Sequence, residues 1–253
     1  MKKKAISWYN LGVDYGKSGQ TAQAREAYQQ ALRVNPEYAG AWNGLGVTYH
    51  LSGQTDKAIE AYQQALRFNP EDADAWYNLG IAYGKSGQTD KAIEVFQQAL
   101  RFNPEDAGAW HNLGIAYGKS GQTDKEIEAF QQALRINPEY AKAWYNLGIA
   151  YGKSGQTDKK IEAFQQALRI NPEYAGAWNN LGIAYGKSGQ TYKELEAYQQ
   201  ALRINPEFAY AWNRLGVTYH LSGQTGQVME VYKRLKTIDP AKADEFFNKV
   251  VLP

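Results

Sequence analysis

Residues Trp76–Pro104 read WYNLGIAYGKSGQTDKAIEVFQQALRFNP. Ala75, Trp76, Leu79, Gly80 and Tyr83 recur at the spacing of one helical stripe. KSGQTD interrupts it, and a second stripe follows in Ala92, Ile93, Phe96, Ala99 and Leu100. RFNPED then breaks the chain, because proline ends a helix and disfavours helical geometry just before itself. The segment therefore predicts two short helices joined by a tight turn. Gly80 and Gly84-Lys85-Ser86 also suggest a phosphate-binding loop, but that loop needs four residues between its glycines. Here there are three, and both glycines lie inside a helical stripe rather than after a strand.

The same letters return with a period of 34. Trp8, Trp42, Trp76, Trp110, Trp144, Trp178 and Trp212 mark it, each followed by Leu-Gly, a tyrosine and a closing proline, from Pro36 to Pro240. Seven units fill residues 5–242 (5–38, 39–72, 73–106, 107–140, 141–174, 175–208 and 209–242), leaving a tail at 243–253. One helix pair cannot bury its own apolar face, so stacking of neighbours is expected to supply the core. Gly87 and its equivalents should close the first helix in the left-handed conformation, and Lys85 suits the negative end of the helix dipole. Thr89 should cap the second helix, and Thr123–Glu126 has the pattern of a capping box.

Trp76, Leu79, Gly80, Tyr83, Ala92, Phe96, Ala99 and Pro104 together resemble the tetratricopeptide repeat, and the resemblance runs in register through all seven units. It implies an all-α, right-handed superhelical solenoid. The first helix of each pair would line a concave groove that binds a peptide or partner protein without chemistry. Glu126, Lys160, Glu194 and Val228 replace the small residue seen at Ala92, which predicts looser contact between the paired helices there.

With Ala73 as position 1, the family's groove positions carry a distinct set. Position 5 includes Tyr77, His111 and Tyr145; position 6 includes Asn78, Asn112, Asn146 and Asn180; position 9 is Val or Ile throughout; position 13 includes Lys85, Lys119, Lys153 and Lys187. Asparagine offers a donor and an acceptor to a peptide backbone, and the tyrosines offer apolar contact. The lysine row favours acidic groups on the ligand. The alternative for the asparagines is bonding between neighbouring helices. Lysine at position 5 and asparagine at position 9, which form the family's two-carboxylate clamp, are absent. Gly84 at position 12 weakens its helix; it either frays near the cap or leaves room for a ligand backbone.

Composition narrows the classes further. Lysine and arginine nearly balance the acidic residues, leaving +2, so no nucleic-acid partner is expected. There are no cysteines, which excludes disulfides and thiolate chemistry. His50, His111 and His220 stand in different units, so neither a metal site nor a catalytic group is expected, and no cofactor. No stretch approaches the roughly 20 apolar residues of a membrane span, and MKKKAISWYN lacks a signal-peptide core; a cytoplasmic protein is the expectation. The tail resembles a truncated eighth first helix, a capping helix with Phe246 where tryptophan would stand. Phe246, Phe247, Val250, Val251 and Leu252 are too many apolar residues for one α-helical stripe. Trp8 comes so early that no separate N-terminal cap is expected. Self-association through the ends or tail is therefore the alternative function.

Overall fold

The structure is a computed structural model that describes residues 2–252. Among the described residues there are only helices, and they fall into two compact units, Met1–Ile136 and Asn137–Pro253. The first unit holds α1 (Lys2–Lys17), α2 (Thr21–Val34), α3 (Ala39–Leu51), α4 (Thr55–Phe68), α5 (Ala73–Lys85), α6 (Thr89–Phe102), α7 (Ala107–Lys119) and α8 (Thr123–Ile136). The second holds α9 (Ala141–Lys153), α10 (Thr157–Ile170), α11 (Ala175–Lys187), α12 (Thr191–Ile204), α13 (Ala209–Leu221), α14 (Thr225–Ile238) and α15 (Pro240–Phe246), then a π-helical turn, Phe247–Val251. The helix-turn-helix pairs repeat at the expected period, and no helix is long and apolar enough to cross a membrane.

Each stripe residue has a definite place in the core. Leu79, Ala82 and Tyr83 of α5 and Ala92, Phe96 and Ala99 of α6 are buried. Gly80 lies under the Phe96 ring, so close that a Cβ there would stand 2.6 Å from the ring edge. The tryptophans are only partly buried; from Trp42 onward their indole N–H groups donate to the carbonyl of the proline six residues earlier, as Trp76 does to Pro70 at 2.8 Å. Tryptophan and proline thus close one inter-repeat loop together. Glutamines of the second helices add a bond to the next repeat: Gln97 Nε2 donates to the Tyr117 hydroxyl at 2.8 Å and Gln165 to that of Tyr185 at 2.9 Å.

The glycine stop forms as expected, with Gly87 at φ +77°. The threonine cap does not. Thr89 is the first residue of α6, Gln88 holds the capping position, and its side chain makes no capping bond. The Gln88 backbone N–H instead bonds the Tyr83 carbonyl at 2.9 Å, so the wrapped glycine turn itself joins the two helices. Side-chain caps appear on first helices, where Asp72 and Asp106 accept from the amides of Ala75 and Ala109. Arg169 reaches Glu139 of the preceding inter-repeat loop at 2.9 Å, an exposed pair worth at most about 1 kcal/mol.

The tail differs from its sequence reading. Pro240 does not stop the chain but opens α15, with Asp239 accepting from the Lys242 amide. The chain then passes into the π-helical turn; Phe246 and Val250 are buried, and Phe247 packs on Tyr232 at 4.8 Å between ring centres. These three side chains thus have partners within the chain, while Leu252 stays 64% exposed.

Candidate functional site

The first helices carry the expected groove residues on one face, but the asparagines are already engaged. Asn112 Nδ2 donates to the Tyr77 hydroxyl at 3.0 Å, and Asn78 Nδ2 to Asn43 Oδ1 at 3.2 Å. In the second unit Asn180 Nδ2 donates to the Tyr145 hydroxyl at 3.0 Å. In each case position 6 of one repeat bonds position 5 of the repeat before it. The ladder is therefore a set of inter-repeat bonds, and only the second amide N–H and the carbonyl oxygen of Asn112 are left for a ligand. Asn146 is half-buried at the equivalent place in α9.

The rings at position 5 pack against the position-24 aromatics of their own repeats. Tyr77 tilts against Phe96 at 6.0 Å between ring centres, Tyr145 against Phe164 at 5.7 Å, and His111 is buried against Phe130 at 5.6 Å. Burial raises the Tyr145 phenol, partly offset by the bond from Asn180. These rings are thus part of the packing between helices. Losing the Tyr77 hydroxyl leaves Asn112 without that acceptor, so Tyr77→Phe should lower stability by about 0.5–1.5 kcal/mol. A urea melt that matches the parent protein would show the bond to be idle.

Lys85, Lys119, Lys153 and Lys187 end their helices and are exposed. Ile81 and Ile115 form an apolar floor between Lys85 and Lys119 in the first unit. Here α5, α6 and α7 enclose a cleft of about 220 Å³, lined by Gly84, Lys85, Ala92, Phe96, Asn112 and Lys119 among others. The cleft brings four of the first unit's expected features together: the small residue, two lysines, an asparagine and the aliphatic floor.

Position 12 glycines prove to be matched to position 20. Glu126 is 4% exposed and folds over Gly118, where an added Cβ would stand 2.5 Å from its Oε1. Glu194 covers Gly186 in the same way, and the Lys160 stem covers Gly152 at 3.2 Å. Burial, then the nearby Lys187, lowers the Lys160 ammonium. At Glu126, Lys160 and Glu194 the opposite glycine makes room and the helix pair stays as closely packed as the others, whereas α13 and α14, with Val228 and His220 at these positions, are packed more loosely, as expected. Among the described residues no group of acidic, histidine or cysteine side chains could hold a metal ion.

Known proteins agree with this architecture. A family model described as the C-terminal domain of cilia and flagella-associated protein 70 matches residues 1–142 and again 39–216, and a tetratricopeptide-repeat model matches residues 209–242. No curated protein matches. Among solved structures, MamA is 30% identical over 66% of this chain and 97% of its own, with a TM-score of 0.63. YrrB, described as a tetratricopeptide-repeat protein with an unusual peptide-binding site, is 24% identical over 74% of this chain and 96% of its own, at 0.66. PilF of Pseudomonas aeruginosa is 19% identical over 85% and 98%, at 0.71. With models matching from the first residue to 242 and the repeat geometry in place, the chain belongs to the tetratricopeptide-repeat family.

Proposed function

We propose that the protein is a non-catalytic scaffold that binds an extended peptide or partner protein along its first-helix face. The cleft between α5, α6 and α7 carries this reading, because an apolar floor, an amide and two exposed cations converge on one recess. YrrB, a protein of the same fold, is described as peptide-binding. Lys85 and Lys119 select acidic groups, Ile81 and Ile115 take apolar ones, and Asn112 offers its remaining hydrogen-bonding capacity to a peptide backbone. Lys153 and Lys187, with Asn146, Asn180 and Tyr145, extend the same face into the second unit, where Lys160 and Glu194 fill the recesses.

Peptides selected from a random library on the full chain test this reading. Replacing Lys85 and Lys119 together by alanine should weaken their binding about tenfold, two exposed pairs of up to ~1 kcal/mol each being lost, with helicity unchanged by circular dichroism. Added salt should weaken it too. Binding indifferent to both would exclude this face as the acidic-peptide site.

A further inference from the structure

Three repeats fill the space above their position-12 glycine with their own position-20 side chain: Glu126, Lys160 and Glu194. The third repeat does not. Gly84 faces Ala92, no heavy atom lies within 4 Å of where its Cβ would stand, and the recess is the open cleft of about 220 Å³. The first repeat is open as well, over Gly16, but its neighbour carries Leu51 in place of the second rim lysine. In the second repeat His50 replaces the glycine.

The filled slots indicate what suits the open one. In two of the three the occupant is a glutamate. Its carboxylate rests on the glycine. In α12 that carboxylate also accepts from the Thr218 hydroxyl of the next repeat at 2.9 Å. The open slot offers an apolar wall, Phe96, with Ala116 across from it. Where α12 uses Thr218, this slot has Lys85 and Lys119 at the rim and Asn112 below them. Neither lysine makes an ion pair among the described residues. A carboxylate entering here would gain charge-assisted bonds.

We infer that the cleft over Gly84 is a subsite for a glutamate side chain of the bound peptide, taking from outside the group that Glu126 and Glu194 supply from within. This rests on the peptide-binding reading above and names the side chain that reading left open.

The test is a titration of the full ¹⁵N-labelled chain with N-acetylglutamic acid α-amide and, separately, with its neutral glutamine counterpart. The acid should move the amides of Gly84, Ala92 and Lys119 saturably, and the neutral probe should bind about tenfold more weakly. Ala92→Glu should abolish these shifts by filling the slot as Glu126 fills its own, and Ala92→Gln should block it without adding charge. Glu126→Ala should open a second site and add shifts at Gly118. Equal affinity for both probes, no saturation, or unchanged shifts in Ala92→Glu would overturn the inference. If library-selected peptides respond to the lysine substitutions yet ignore Ala92→Glu, the subsite falls and the groove reading stands. If they perturb only residues away from the first helices, the groove reading falls as well.

Discussion

Truncating Phe246 to alanine should cost about 3–5 kcal/mol and release the C-terminal end of the repeat array. Phe246 is 1% exposed, and its ring covers Gly216 so closely that a Cβ there would stand 2.5 Å from Cζ. In the other repeats this place belongs to the position-24 aromatic of the repeat's own second helix: Tyr28 over Gly12, Tyr62 over Gly46, Phe130 over Gly114, Tyr198 over Gly182. The last repeat has an aromatic at that position too, Tyr232, but it turns to Phe247 instead. Val228, Val231 and Leu235 hold α14 in the core, and the tail supplies the missing ring. The seventh repeat is thus completed by residues outside its own 34, which makes one side chain decisive for its closure. Because repeat arrays need not unfold in one step, the measurement is hydrogen exchange by residue alongside a urea melt. Amides of α13 and α14 should lose protection in Phe246→Ala, while the solvent-facing Leu252→Ala should change stability by no more than about 0.5 kcal/mol. Unchanged protection in α13 would mean that Phe246 merely lies against a repeat that closes without it.

That substitution also shows where the sequence stopped being readable. The period, the helix pairs and the glycine stops follow from spacing within one repeat, and the Leu79, Gly80, Tyr83, Ala92 and Phe96 stripes could be read locally. Bonds between repeats could not. Asn112 to Tyr77, and Gln97 to Tyr117, join residues that look like solvated polar positions when each helix is considered alone. The tail misled because Phe246 and Phe247 are placed by Gly216 and Tyr232 of the seventh repeat, partners that spacing within the tail does not show. The threonine caps misled because each helix begins one residue earlier than the cap reading requires: Thr89 is already the first residue of α6 and Gln88 holds the capping position. At the candidate site, the lysine row and the aliphatic floor were legible by register. The open slot was not: its letters, Gly84 to Asp90, are the same as those over the filled slot at Gly118, and only the residue at position 20 tells them apart.

Alanine at three glycines of α5 and α7 should separate these environments by sign. Gly114→Ala drives a methyl into the Phe130 ring, 2.7 Å from its nearest carbon. That ring is 1% exposed and cannot step aside, so the overpacked pair should lose about 1–3 kcal/mol. Gly118→Ala meets the Glu126 carboxylate at 2.5 Å, the free end of a flexible side chain. It should turn that carboxylate outward at a smaller cost than Gly114→Ala, against which the better helix propensity of alanine counts. Gly84→Ala meets nothing within 4 Å, so the propensity gain stands alone and stability should rise by up to about 1 kcal/mol. The three substitutions are chemically identical and lie on equivalent helices, so any order other than 84 above 118 above 114 in urea midpoint contradicts the packing described. A Gly84→Ala protein that melts below its parent would be the sharpest contradiction, since it would place an atom where the cleft stands open. The same variant carries a functional consequence: its methyl narrows the recess, so a more stable protein should bind the acid probe less well. Stability and binding should therefore move in opposite directions at Gly84, as expected if the glycine is kept for the space above it rather than for the helix that contains it.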